Sequence, residues 1–397
     1  MSVENTPPFA ELHAGITAKD LREVISKSGY PFQATVADII RSASVANVRD
    51  FKMQEEWAFI DRESGQARSI DILVDLAFPH DYDNPDSKLR TRLNLLVECK
   101  QSDLPYIFFL RKSAPVPHNE FPEIYGLDKQ DIRVFTNAAK EEGVKDDSFS
   151  WWVNLRDALE FAEVPFFGAP TLYAISFAKA IRRGPKLELT GEDAYRSLTL
   201  PLLKAADHLK ELSKPTGDHP LLFPRIVINL AVVRAPMICA FESGGENELI
   251  ALPWVRVSHL EPTEGGKSGR DLSGAVRYFD VVHESFLARY LEVLYRDADE
   301  VAQRMHRHSK EVAGGVAFSD LSEGHESLSP LPDHYRQYLS KPCTIIFRHH
   351  VQSLGLTVGK SGGEISDHPD NPTVIGWIDG YDWLYPSEQQ PPKTEVR

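Results

Sequence analysis

Two apolar runs, each interrupted by charge, constrain this chain more than any other feature. In Ile70-Asp71-Ile72-Leu73-Val74-Asp75-Leu76 the β-branched residues favour a strand, and strand side chains alternate between faces. Ile70, Ile72, Val74 and Leu76 therefore share one face, and Asp71, Leu73 and Asp75 the other. In Leu95-Leu96-Val97-Glu98-Cys99-Lys100 the same period groups Leu96, Glu98 and Lys100 and turns Val97 and Cys99 away. If the two strands pair, Asp71 and Glu98 meet across the ladder with side-chain bases about 5 Å apart. Two carboxylates in that position repel, so they need a partner that accepts both.

The surrounding segments supply a frame for such a pair. Leu21, Val24 and Ile25 recur at helical spacing, Gly29-Tyr30-Pro31 breaks the period, and Phe32, Val36, Ile39 and Ile40 resume it. Two short helices are expected there. A hairpin follows, from Glu56 to Ile60 and from Ile70 to Phe78, with the polar Asp61 to Arg68 as its turn region. The loop His80 to Lys88 leads into a third strand, Leu93 to Gln101. Residues 103 to 169 show no clean period. Helical spacing returns in Ala194 to Leu212, Ile226 to Phe241 reads as two strands broken at Arg234-Ala235-Pro236, and Tyr278 to Val282 as a strand entering the helix Glu284 to Met305. The pattern is α/β.

Composition narrows the class. The chain has 397 residues and three cysteines, Cys99, Cys239 and Cys343, none in a C-x-x-C pair, which argues against a disulfide framework or a zinc knuckle. No stretch approaches the roughly 18 apolar residues of a membrane span, and the first residues hold charges and prolines instead of a leader. A cytoplasmic protein that does not enter membranes is expected. The net charge of −14 argues against indiscriminate coating of polyanions, although a local basic groove remains compatible with it. Arg111-Lys112, Arg182-Arg183 and the run Arg304, His306, Arg307, His308, Lys310 are candidates, each reading first as an ordinary solvated face.

A hard divalent cation, Mg²⁺ or Mn²⁺, relieves the repulsion between Asp71 and Glu98, because such ions take oxygen ligands and are commonly held by one or two carboxylates plus substrate phosphate. The carbonyl of Cys99 offers another oxygen, and Lys100 stands where it can orient a water and offset charge on a scissile phosphate. The bland reading is a same-face Glu98 and Lys100 ion pair, worth little to stability. Glu55 and Glu56 precede the hairpin, and as strand neighbours they face opposite ways. Gln101 follows the lysine on the other face. His349-His350 lacks a metalloprotease partner, and Gly244-Gly245 and Gly265-Gly266 lack a nucleotide-loop frame.

Ser69-Ile70-Asp71-Ile72-Leu73 followed by Leu96-Val97-Glu98-Cys99-Lys100-Gln101, downstream of a helix, resembles the restriction-endonuclease-like, or PD-(D/E)xK, nuclease superfamily. The Pro-aromatic segment Ser102 to Phe109 resembles uncharacterised bacterial members. The resemblance implies an α/β fold with a mixed β-sheet core flanked by helices, a large middle insertion and a C-terminal extension. Its expected boundaries are a nuclease-like domain over 15–308, with a motif core at 21–111, an inserted region at about 112–220 and later strands at 226–282. An irregular connection at 309–332, a small appendage at 333–384 and a disordered tail at 385–397 complete the division. It further implies Asp71, Glu98 and Lys100 as catalytic residues and Asp71 and Glu98 as ligands of Mg or Mn; the residues themselves add the Cys99 carbonyl as a further ligand, and Gln33, Glu56 and Gln101 as accessory positions. Hydrolysis of phosphodiester bonds by a metal-activated water is the implied activity. DNA is expected over RNA as substrate, with a homodimer or a partner protein compatible with the family. Many members carry a glutamate on the first helix where this chain has Gln33, a neutral residue that ligates only through its amide oxygen. A catalytically inactive module that binds protein or nucleic acid is the alternative.

Overall fold

The computed structural model describes residues 12–13, 15–43, 48–82, 84, 87–111, 121–137, 150–168, 173–216, 221–243, 246–261, 275–320, 365–366 and 373–374. The break at Gly29 separates α1 (Ala18–Lys27) from α2 (Tyr30–Ser42). Thr17 and Asp20 cap α1 reciprocally. Gly29 turns through φ +89°, which glycine alone adopts cheaply, and Pro31 occupies the first turn of α2 where a missing N–H costs nothing. Phe32, Val36, Ala37 and Ile40 give α2 its buried face.

β1 (Asp50–Ile60), β2 (Ala67–Ala77) and β3 (Arg92–Gln101) are antiparallel neighbours in that order. β2 alternates buried and half-buried residues as its sequence period predicts, whereas β3 is buried on both faces until its last two residues. Next come β4 (Tyr106–Arg111), β5 (Glu123–Tyr125), β6 (Asp131–Asn137) and β7 (Ser150–Asn154). A one-turn helix α3 (Leu155–Ala158) precedes β8 (Tyr173–Arg183) and β9 (Lys186–Thr190). The expected helix over 194–212 is three joined pieces: α4 (Gly191–Ala194), a π-helical turn Tyr195–Thr199, and α5 (Leu200–Leu212). β10 (Arg225–Arg234) and β11 (Met237–Ser243) flank the predicted break at Ala235-Pro236. β12 (Glu246–Ala251), β13 (Trp254–Glu261) and β14 (Ala275–His283) lead to α6 (Leu287–Arg307), α7 (Ser309–Gly314) and β15 (Val316–Asp320).

These strands form a mixed sheet in the order β1-β2-β3-β10-β14-β13-β8-β4-β11-β12, with β5 added on β10 and β9 on β8. β3 runs parallel to β10, and β4 parallel to β11. Ala235 and Pro236 alone join β10 to β11, a reach of about 10 Å, yet these strands lie five strand spacings apart along the sheet, about 24 Å. The sheet must therefore curl until β10 meets β11 end to end, closing a barrel-like turn. At that bend Ser102 N–H donates to the Arg234 carbonyl (3.0 Å) and Tyr106 N–H to the Pro236 carbonyl (2.9 Å). Helices flank the sheet. α2 packs on β3 and α6, α6 on β14, and α5 across β1, β2, β3 and β10. A fully buried ion pair ties the curled part: Arg256 of β13 grips Asp280 of β14 at 2.8 and 3.0 Å, and Tyr290 of α6 donates to the same carboxylate.

Three expectations change. The segment 112–220, expected as an insertion, contributes β5, β8 and β9 to this one sheet. The connection expected to be irregular from 309 instead begins with α7 and then β15, which pairs in parallel with β6 in a small second sheet with β7. The basic run that ends α6 is divided: Arg307 and Lys310 are exposed, as a solvated face would be, whereas Arg304 and His306 turn to partners within the fold. Arg304 is buried against Glu300 and the carbonyls of Leu159 and Glu160, and His306 bonds Asp81. Of the expected appendage at 333–384 the described residues are the antiparallel pair Ile365–Ser366 with Thr373–Val374. His349-His350, both glycine pairs, Cys343 and the tail lie outside the described residues. Among the described residues no helix is long and apolar enough to cross a membrane.

Candidate active site

The ladder between β2 and β3 runs from Ala77↔Arg92 to Ile72↔Val97 and stops there. In this register the next opposed pair is Asp71 and Glu98, the two carboxylates that strand alternation sets on one face. The missing ladder bonds are replaced by side chains. Cys99 N–H donates to Asp71 Oδ2 at 2.6 Å, and Gln33 Nε2 of α2 donates to the Asp71 carbonyl at 3.1 Å. Buried backbone groups need partners, and here the site residues themselves provide them. Lys100 Nζ lies 2.6 Å from Glu98 Oε1, with the Glu98 side chain 6% and the Lys100 side chain 34% exposed.

Burial and proximity shift the protonation of this group strongly. Burial, then the Asp71 charge, pushes the Glu98 carboxyl up to about 7, and the neighbouring Lys100 only partly offsets them. Burial also raises Asp71, against the Cys99 amide and Lys100, which lower it. Lys100 is itself desolvated, but Glu98 and Asp71 outweigh that and raise its pKa, so it stays an ammonium. Burial raises the Cys99 thiol, leaving it protonated and unsuited as a soft ligand.

A third carboxylate flanks the pair. The β1–β2 ladder is interrupted once, between Glu55↔Ile72 and Trp57↔Ile70, and the residue skipped is Glu56, which the register sets opposite Asp71. Glu56 has φ +51°, a left-handed conformation in the middle of a strand. For a residue with a Cβ that conformation costs about 1–2 kcal/mol. Glu56→Gly is therefore expected to leave the protein as stable or up to about 1 kcal/mol more stable in urea unfolding. A loss of stability of that size would show that the left-handed turn is not strained. Glu55 points elsewhere, paired with Arg41 of α2 at 2.5 Å. Gln101 donates to the Ser26 carbonyl of α1 at 2.9 Å, a contact that braces α1 on the end of β3.

Among the described residues no three His, Cys, Asp or Glu side chains converge as a preformed metal cage. The donor set that does exist is two adjacent carboxylates and a backbone oxygen. Cys99 directs its N–H toward β2, and in an extended strand the carbonyl of the same residue points the same way. Hard oxygen donors in this number fit Mg²⁺ or Mn²⁺, which usually keep several waters, better than zinc.

Sequence reasoning missed Tyr106. It stands at the start of β4, 1% exposed, bonded to Ser197 of the π-helical turn and close enough to Lys100 for the ammonium to act on its pKa. The signal for it was the shortness of the 102–105 link, which returns the chain beside Lys100 after the bend. Compared with protein-family models, with curated proteins and with solved structures, the chain matches none of them.

Proposed function

We propose that this chain is a Mg²⁺- or Mn²⁺-dependent nuclease of the restriction-endonuclease-like type, hydrolysing phosphodiester bonds of DNA. The observation that carries the reading is the meeting of Asp71, Glu98 and Lys100 at the point where β2 parts from β3. Asp71 and Glu98 would hold the cation, with the Cys99 carbonyl beside them. When bound, a divalent cation would neutralise the two carboxylates and polarise phosphate and water. Lys100 supplies a fixed positive charge next to the scissile phosphate, stabilising charge that develops on it. Gln33 sets the backbone of Asp71 and thereby aims its carboxylate. Free, buried Cys99 and Cys239 support a reducing, cytoplasmic setting.

A panel of linear, circular and single-stranded DNA and RNA, incubated with Mg²⁺ or with chelator, tests the proposal. Cleavage of DNA by the native chain with Mg²⁺, absent in chelator and in Asp71→Asn, is expected. No cation-dependent cleavage of any polymer would sink it. One observation favours a catalytically silent module instead: Lys100 already satisfies Glu98, and Cys99 N–H already satisfies Asp71. Such a module would show no thermal stabilisation by Mg²⁺ or Mn²⁺.

A further inference from the structure

We propose that the β8–β9 hairpin is an arm that enters the major groove of duplex DNA beside the Asp71, Glu98 and Lys100 site. What the arm serves rests on the nuclease reading; its binding does not. β8 passes the site directly: Lys179 pairs with Tyr106, and Ala180 N–H donates to the Pro105 carbonyl at 2.9 Å. Beyond that point β8 leaves β4, because β4 begins at Tyr106, and among the described residues only β9 accompanies it. Residues 182–189 are all exposed. The hairpin closes through Gly184 and Pro185, with Gly184 at φ +62° and proline fixed near −65°, a tight turn of the II′ kind that keeps the ribbon twisted. Among the described residues it is thus an exposed two-stranded ribbon springing from beside Tyr106, the first residue of β4.

Its chemistry matches a polyanion with apolar features. The ribbon carries Arg182, Arg183 and Lys186 on a chain of net charge −14, so the positive tip stands against an acidic background and focuses attraction for phosphate. Arg183 and Lys186 are directly opposed. Like charges in that position destabilise a hairpin, and an anion between them would remove the penalty. Glu188 lies 3.2 Å from Arg183, but both side chains are well exposed and such a pair exchanges readily for a phosphate contact. Leu187 and Leu189 are 62% and 54% exposed, apolar surface suited to sugar edges and thymine methyl groups. The B-form major groove, about 12 Å wide, admits a two-stranded ribbon, whereas the deep, narrow A-form groove of duplex RNA does not. Duplex DNA is therefore the occupant.

Binding of the full chain to a short blunt DNA duplex, the equivalent RNA duplex and single-stranded DNA, followed by fluorescence anisotropy in chelator across a salt titration, tests the arm. Arg182→Ala/Arg183→Ala/Lys186→Ala is expected to bind duplex DNA at least about tenfold more weakly, with a slope of log affinity against log salt shallower by about 2 to 3. Its melting temperature should match the native protein, since the three side chains are exposed. Equal affinity and slope in the variant, no duplex binding by the native chain, or equal binding of duplex RNA would each overturn the inference. Chelator prevents cleavage, so a native chain that binds DNA through the arm yet never cleaves it with Mg²⁺ would remove the nuclease reading and leave the arm standing. Cleavage with an arm-independent affinity would do the reverse.

Discussion

Replacing Lys100 by alanine is expected to lower Mg²⁺-dependent cleavage by about 10²- to 10⁴-fold while affinity for duplex DNA falls less than about tenfold. The split follows from where the ammonium sits. Lys100 is a third exposed and bonded to Glu98, on the same strand face as the two carboxylates. In the proposed reaction it would act from there on charge that develops during hydrolysis more than on the ground-state duplex, most of whose phosphates would lie elsewhere. The variant also strips Glu98 of its counter-ion, which drives that carboxyl toward its protonated form and weakens cation binding. Assays at saturating Mg²⁺ and at pH 8 separate the two effects: the loss that persists there belongs to Lys100. Lys100→Arg keeps the charge but replaces a compact ammonium with a planar fork, so intermediate activity is expected. Cleavage by Lys100→Ala within about fivefold of native would remove Lys100 from the chemistry.

The pairing of Asp71 with Glu98 was legible because it depends on local facts. β2 carries a period-2 pattern and β3 is the next strand after the polar link 78–91, so the two can pair in few registers, since a one-residue slip would turn Ile70, Ile72 and Val74 toward solvent. The Gly29-Pro31 break and the cut at Ala235-Pro236 were legible for the same reason. The curl of the sheet was not. β8 meets β13 through the pair Val257↔Ala174 and β4 through a register shift between Phe109 and Leu110, and such non-local pairings leave no periodic trace in either segment. The 103–169 region contributes short strands to two different sheets, so no single period runs through it.

Charge was legible as composition and misleading as location. Arg304 belongs to a basic run in the sequence, yet it follows Asp297 by seven residues, two helical turns, and both are fully buried on the inner face of α6. Reading the helical period through the run, with Val301 and Met305 as its apolar markers, would have turned Arg304 inward. Arg182-Arg183 had no such apolar frame, and the structure leaves them exposed at a hairpin tip. Glu56 was beyond reach in another way. Gln54-Glu55-Glu56-Trp57 contains no glycine or asparagine to announce a left-handed residue, so the strain there comes from tertiary context.

Thermal stabilisation by Mg²⁺ or Mn²⁺ is expected to be large at pH 8, small at pH 6 and nearly absent at pH 5. Glu98 rises from the ordinary 4.5 to about 7 through burial and the nearby Asp71. Between those two values the folded protein holds a proton that the unfolded chain has released. Glu98 therefore adds stability below about pH 4.5, and that contribution is lost as pH rises through 7, a swing on the order of 3 kcal/mol if the whole difference is expressed. Asp71, also raised, acts in the same direction. Without cation, the melting temperature should accordingly decline between pH 5 and 8 on account of these groups. A cation needs both carboxylates ionised, so its binding displaces protons and its apparent affinity falls about tenfold per pH unit below 7 for each proton displaced. Melting curves at pH 5, 6 and 8, with Mg²⁺ or chelator, read both effects together. Glu98→Gln should flatten the decline seen in chelator and abolish the cation's effect at pH 8. A cation shift of equal size at pH 5 and pH 8, or one that survives in Glu98→Gln, would place the cation away from these two strands.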